Sequence, residues 1–257
     1  MDQSEHSDVP TLIGVLGGTI TTEDTNRVET TESSPTLFGN ASAPLRTLEI
    51  GDSDVVFMAR HGLPHTIAPH EINYRANLWT FYEASASAII GMYTVGAIAD
   101  NFIIGDIVIP NQIIDYTWGR EGSFNSVLGL NHFDLSEPFD PVVRSQLISS
   151  ALESGYSIHT SGTYGCTQGP RLETAAEIER LRRDGCDLVG MTAMPEVALA
   201  RELNIPFGGL CLVVNAAAGR GDGPIQHHGI SLAIERNSPN LLDIVGRAAH
   251  SLKEILR

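Results

Sequence analysis

Short apolar runs, most of them stopped by a glycine, a threonine or a basic pair and spaced by segments of helical periodicity, constrain this chain most. Thr11–Leu16 halts at Gly17-Gly18, and Asp54–Ala59 halts at Arg60-His61-Gly62. Ser87–Tyr93, Phe102–Ile109, Tyr156–Thr163, Cys186–Met191 and Pro206–Val214 repeat the pattern, and all seven read as buried strands. Between them, Glu71–Ser85 carries apolar residues at Ile72, Leu78, Trp79 and Tyr82, and Leu172–Asp184 at Leu172, Ala176, Ile178 and Leu181. Both spacings predict helices. Pro141–Ser154 has proline in its first turn and Gly155 past its end, the usual punctuation of a helix. Pro195–Leu203 and Leu241–Leu256 complete the helical set. Strands alternating with helices of these lengths predict an α/β fold, a central mixed sheet flanked by helices on both faces. Thr21–Pro44 reads as loop or hairpin, and Asp115–Asp140 as a long, polar, aromatic-bearing loop.

A chain of 257 residues fits one domain, placed at residues 11–257 behind a flexible polar tail, Met1–Pro10. The net charge of −15 argues against nucleic acid as a partner. No apolar run approaches the roughly 20 residues of a membrane span, and the tail lacks the apolar core of a signal peptide. The expectation is a cytoplasmic protein with no membrane partner. Cys166, Cys186 and Cys211 form neither metal spacing nor a disulfide framework and read as buried structural residues. His61, His65 and His70 lie close in sequence, but no ligand pattern accompanies them and no metal is expected.

The strand ends carry the chemistry, as expected of an α/β sheet, where ligands gather at the carboxyl ends of strands. Gly17-Gly18-Thr19 offers backbone amides and a hydroxyl to an anion, although a plain tight turn looks the same. Arg60 has the forked geometry suited to phosphate, and His61 beside it adds a second donor. Tyr93-Thr94-Val95-Gly96 and Met191-Thr192 end two further strands. A hydroxyl recurring at separate strand ends favours one shared oxyanion site over independent turns.

Gly17-Gly18-Thr19, Ala59-Arg60-His61-Gly62, Asn73-Tyr74-Arg75-Ala76-Asn77-Leu78-Trp79, Gly169-Pro170-Arg171 and Gly190-Met191-Thr192-Ala193-Met194-Pro195-Glu196 occur in that order. Together they resemble the trimeric purine nucleoside phosphorylase and methylthioadenosine phosphorylase family, from about Thr11 to the last helix. The stretches Cys166–Thr174 and Val213-Val214-Asn215 are most similar to the S-methyl-5′-thioinosine phosphorylase branch. The resemblance implies that Thr19, Arg60, His61, the Thr94 amide and Thr192 hold phosphate. It places Met191 against the ribose, and Leu172 on the purine. Glu173, Asn215, Ala216 and Ala217 would line the base. It also implies a homotrimer in which His132 reaches the 5′ side of a neighbouring subunit's site. Inorganic phosphate is then a co-substrate, and no metal or organic cofactor is expected.

Two residues specify the base in this reading. Hypoxanthine presents N1–H as donor and O6 and N7 as acceptors. Glu173 accepts from N1–H, and the Asn215 amide donates to O6 or N7. Adenine reverses both polarities, and a buried polar group facing the wrong partner costs about 1–3 kcal/mol. Adenine-specific members of the family carry Asp where Asn215 stands and a second Asp where this chain has Ala217. The expected reaction is phosphorolysis of S-methyl-5′-thioinosine, with inosine and guanosine next and the adenosine analogue third. Tyr93 replaces a residue that is small in the family and is expected to crowd phosphate or ribose. Pro224–Ile234, the stretch that sets 5′ specificity, contains His227-His228, and His228 is a candidate partner for a 5′-hydroxyl.

Overall fold

The structure is a computed structural model that describes residues 11–18, 28–30 and 34–257. The tail Met1–Pro10 and Thr19 lie outside the described residues. In chain order the strands are β1 (Leu12–Gly17), β2 (Val28–Thr30), β3 (Arg46–Ile50), β4 (Ser53–Ala59), β5 (Ala86–Ala97), β6 (Ile107–Val108), β7 (Gln112–Asp115), β8 (Ile158–His159), β9 (Thr163–Cys166), β10 (Leu188–Gly190) and β11 (Phe207–Ala216). The helices are α1 (Tyr74–Glu83), α2 (Asn125–Leu128), α3 (Pro141–Glu153), α4 (Ala175–Arg183), α5 (Ala193–Glu202) and α6 (His227–Ile255). All eleven strands join one mixed sheet.

β5 organises that sheet. Its sequence is almost wholly apolar, so both of its faces can be buried. One edge pairs in parallel with β11 from Ile89 to Ala97. The other edge divides. β1 pairs with it in parallel as far as Gly91, and antiparallel β10 joins only at Gly96-Ala97. Among the described residues, Met92–Val95 therefore has no strand partner on that side. The sheet forks there, with β4 and β3 continuing beyond β1, and β9 and β7 beyond β10. Helices α1 and α5 pack on each other and on β5 and β11, while α3 and α6 form a second packed pair that reaches β11 and β4.

The observed elements differ from the sequence reading where local signals competed. Phe102–Ile109 yields only β6, because 99–106 folds into turns closed by Phe102 N–H to Ala99 O and Asp106 N–H to Ile103 O. Ile103 and Ile104 are exposed. Tyr156–Thr163 divides into β8 and β9. The helix expected from Leu172 starts at Ala175, since Thr174 caps it reciprocally with Glu177. That cap leaves Leu172 and Glu173 in the preceding loop. The helix expected from Leu241 starts instead at His227 and runs through Pro239. β3, and β7 up to its last residue, lie in stretches to which the sequence reading assigned no element.

α6 crosses the sheet closely at Gly246. A Cβ there would lie 2.5 Å from the Ile50 carbonyl oxygen, a main-chain atom that cannot swing aside. Gly246→Ala should therefore push α6 off β3 and cost about 1–3 kcal/mol in urea unfolding. A change below about 0.5 kcal/mol would show that the contact is slack.

Candidate active site

A cleft of about 170 Å³ opens at the fork of the sheet. Arg60, the first residue after β4, sits behind it and is 1% exposed. Its Nη2 donates to Leu16 O on β1 at 2.9 Å, and its Nη1 donates to Met92 O on β5 at 3.0 Å. The guanidinium thus closes the gap where the two strands part. Its other side forms a two-point pair with Glu196 of α5, Nε to Oε1 at 2.5 Å and Nη2 to Oε2 at 3.0 Å. Of five N–H donors, one, on Nη1, has no partner among the described residues. The expectation of a free fork for phosphate is corrected to a single available donor.

Tyr93 completes this cluster. Its hydroxyl donates to Glu196 Oε2 at 2.8 Å, and its ring lies under the guanidinium, 4.7 Å from Cζ. The ring is 2% exposed and supports the ion pair while it also lines the cleft. Burial pushes the Tyr93 hydroxyl well above its usual range, so it stays a donor. Burial also pushes the Glu196 carboxyl up, against the pull of Arg60 and Tyr93. Arg60 is held above its ordinary range by Glu196, even though its own burial opposes this, and it stays charged.

His61 lines the same end of the cleft. Its Nδ1 lies 2.8 Å from Ile67 O, which can only accept, so Nδ1 carries the proton. Burial, and then the neighbouring Arg60 charge, pull its pKa down to about 4. The neutral ring then presents a lone pair on Nε2. The expected second donor is an acceptor.

Beyond this end the cleft is walled by three strand ends. Thr94, Met191, Thr192, Leu172, Glu173 and Asn215 all line it. Glu173 Oε1 accepts from Thr167 Oγ1 at 2.5 Å, which leaves Oε2 for a ligand. Asn215 Nδ2 donates one hydrogen to Ala216 O at 2.8 Å and keeps the other. The anion-suited and base-suited residues are therefore gathered into one space.

Other expected residues lie elsewhere. Ala217 is buried in a small apolar cluster with Ile98, Ile178 and Val189, and Ala216 is half-buried beside it. His132 is exposed on the 115–140 loop, and His228 is exposed in the first turn of α6, whereas Ile230 reaches the cleft. Sequence reasoning missed Glu196 and Thr167 as partners. Their bonds to Arg60 and Glu173 depend on loop paths that no spacing rule encodes.

A family model described as the phosphorylase superfamily matches residues 12–250. The chain belongs to the phosphorylase superfamily. A phosphorylase-superfamily relative named probable S-methyl-5′-thioinosine phosphorylase, from Xanthomonas campestris, is 41% identical over 242 residues, covering 92% of this chain and 96% of that one. A 6-oxopurine nucleoside phosphorylase from Pyrococcus furiosus is 40% identical over 203 residues, covering 76% and 77%. The structure also superposes on methylthioadenosine phosphorylase from Schistosoma mansoni in complex with adenine, with a TM-score of 0.87 and 26% identity, covering 94% and 91%. This superfamily fold accounts for the mixed sheet and its flanking helices.

Two outcomes follow from the buried cluster. Arg60→Ala leaves the Glu196 carboxylate buried without its cation and should cost about 3–5 kcal/mol in urea unfolding. Tyr93→Phe removes one bond to a charged group and should cost about 1.5–3 kcal/mol. Losses under 1 kcal/mol for both would contradict the account. The His61 shift has a sign that can be checked. Its folded pKa is below the unfolded value of 6.5, so between about pH 6.5 and 4 the unfolded chain binds the extra proton. Stability should fall through that window as pH drops, and less steeply in His61→Asn. Parallel pH profiles would show that His61 is not held neutral.

Proposed function

We propose that this phosphorylase cleaves 6-oxopurine nucleosides with inorganic phosphate, and that its substrate is S-methyl-5′-thioinosine. The observation that carries this reading is the meeting of Glu173 and Asn215 in the cleft that Arg60, His61, Thr94 and Thr192 also reach. Glu173 accepts from N1–H of the base, and the second Asn215 hydrogen goes to O6 or N7. On the sugar side, Ile230 rather than His228 reaches the cleft, which favours an apolar 5′-methylthio group over a hydroxyl.

Phosphate sits at the fork. Thr94 faces the same open edge of β5 as Met92, two residues away. Its amide, the Thr192 hydroxyl and the last Arg60 N–H donate to phosphate oxygens. Gly18 lines the cleft, and Thr19, implied as a phosphate residue by the resemblance, is next in sequence and outside the described residues. Because Arg60 is matched by Glu196, the pocket receives the anion through dipoles and one N–H. The hydroxyl of HPO4²⁻ donates to the Nε2 lone pair of His61.

A phosphate oxygen attacks C1′ as the C1′–N9 bond breaks, and the electron pair of that bond passes to the purine. Positive charge on the ribose is stabilised by the adjacent phosphate, and negative charge on the base by Asn215. The proton that HPO4²⁻ gives up equals the proton the base takes up, so the products are hypoxanthine and 5-methylthioribose 1-phosphate. The nucleophile arrives anionic, so no side chain need be activated and no metal or organic cofactor is called for. Met191 and Leu172 pack on ribose and purine.

The reading extends to a homotrimer in which His132 completes a neighbour's pocket. Trp118, Leu128 and Leu130, exposed on the same loop, give it an apolar contact surface.

A substrate panel tests the base assignment. kcat/KM for methylthioinosine should exceed that for methylthioadenosine by at least about tenfold. Asn215→Asp should shrink the ratio. Equal rates on the two nucleosides would refute the base assignment, and an unchanged ratio in Asn215→Asp would remove Asn215 from it. Light scattering should report three chains per particle. His132→Ala subunits mixed with Arg60→Ala subunits should regain part of the lost activity, because some mixed sites are intact. A fully active monomer would contradict the shared site.

A further inference from the structure

The cleft wall that faces the nucleoside is held from behind by one side chain. Arg120, on the loop after β7, sends Nη2 to Thr167 O and Gln168 O at 3.3 and 2.9 Å. Its Nη1 donates to Met191 O at 2.9 Å, to Met194 O at 2.5 Å and to the Tyr74 hydroxyl at 3.1 Å. Tyr74 passes its own proton to Pro69 O at 2.7 Å. One guanidinium thus joins three segments: the loop leaving β9, the turn from β10 into α5, and the approach to α1, the first two of which are also joined by the β9–β10 pairing up to Cys166 and Gly190 and by Thr167 N–H to Gly190 O at 2.8 Å.

Each segment places a residue on the cleft. Thr167 holds Glu173 through its hydroxyl, Met191 lines the cleft directly, and Pro69 lines it at the end of the Tyr74 bond. Their mutual approach is close. Gly169 has φ +65°, and a Cβ on it would lie 2.7 Å from Met191 Sδ and 3.3 Å from Pro69 Cγ. The Gly169 turn is thus packed against both neighbours, and Arg120 supplies donors to the carbonyls around it. None of the Arg60 partners, Glu196, Leu16 and Met92, is bonded to Arg120.

We propose that Arg120 is a positioning residue for nucleoside binding, setting Glu173 and Met191 through the main chain without touching the substrate. This rests on the phosphorylase reading above. Lysine in its place has one nitrogen and three donors, so it can serve one segment well but cannot span all three.

The test is steady-state kinetics of Arg120→Ala and Arg120→Lys with each substrate varied separately, alongside thermal unfolding. Arg120→Ala should raise the nucleoside KM at least about tenfold and the phosphate KM by a clearly smaller factor, since of the phosphate-site residues only Thr192 lies between carbonyls that Arg120 holds. Arg120→Lys should fall between Arg120→Ala and the parent chain. Millimolar guanidinium should restore part of the Arg120→Ala loss while leaving the parent chain unaffected. A lowered melting temperature with both KM values unchanged, or equal rises in both, would overturn the proposal. If Arg120→Ala does not fold, Arg120→Lys decides by the same split between the two KM values. Absence of phosphate-dependent base release by the parent chain would instead remove the phosphorylase reading on which the inference stands.

Discussion

The Arg60–Glu196 pair is the interaction on which the rest of the structure depends. A sheet that forks must leave main-chain carbonyls without strand partners, and buried carbonyls need donors. Arg60 supplies them at Leu16, the last β1 residue paired with β5, and at Met92, the first β5 residue beyond that pairing. A lone guanidinium in that position would be prohibitively desolvated, so Glu196 from α5 lies against it and Tyr93 from β5 holds Glu196. The fork, the helix behind it and the cleft in front of it are one construction.

That construction decides how an anion is received. The charge of Arg60 is already answered inside the protein, which leaves one N–H and the neighbouring main chain to face the cleft. His61 is turned so that Nδ1–H serves Ile67 O, and it offers a lone pair. A pocket of this kind suits an anion that retains one proton of its own and that must leave again as part of a product. The nucleoside end is built differently. There Glu173 and Asn215 each keep one hydrogen-bonding valence free after satisfying a neighbour. Specificity then lies in the polarity of those two free valences.

Much of this was legible in the sequence, for identifiable reasons. The strands leading to Gly17, Arg60 and Met191 are short, apolar and abruptly ended, so both the α/β class and the strand-end placement of those residues could be read directly, whereas the strand read as ending at Tyr93 continues through Thr94 to Ala97. Leu172 and Glu173 were assigned to a helix because apolar spacing ignores capping, whereas Thr174 and Glu177 begin the helix later. The true start of α6 was hidden by Pro239, which a long helix tolerates where Asn237 and Ser238 bond to preceding carbonyls. Least legible were the partnerships. Arg60 read as a phosphate fork because its type and position suit one, and only the fold shows that four of its donors are already taken. Tyr93 looked like an obstruction for the same reason.

The central claim is that the cleft at the fork brings phosphate and a 6-oxopurine nucleoside together for direct transfer. It is tested most directly by product analysis of methylthioinosine incubated with the protein, with and without inorganic phosphate. The account predicts hypoxanthine and 5-methylthioribose 1-phosphate in equal amounts, and no base release when phosphate is omitted. Release of hypoxanthine at the same rate without phosphate, with free 5-methylthioribose as the other product, would contradict it.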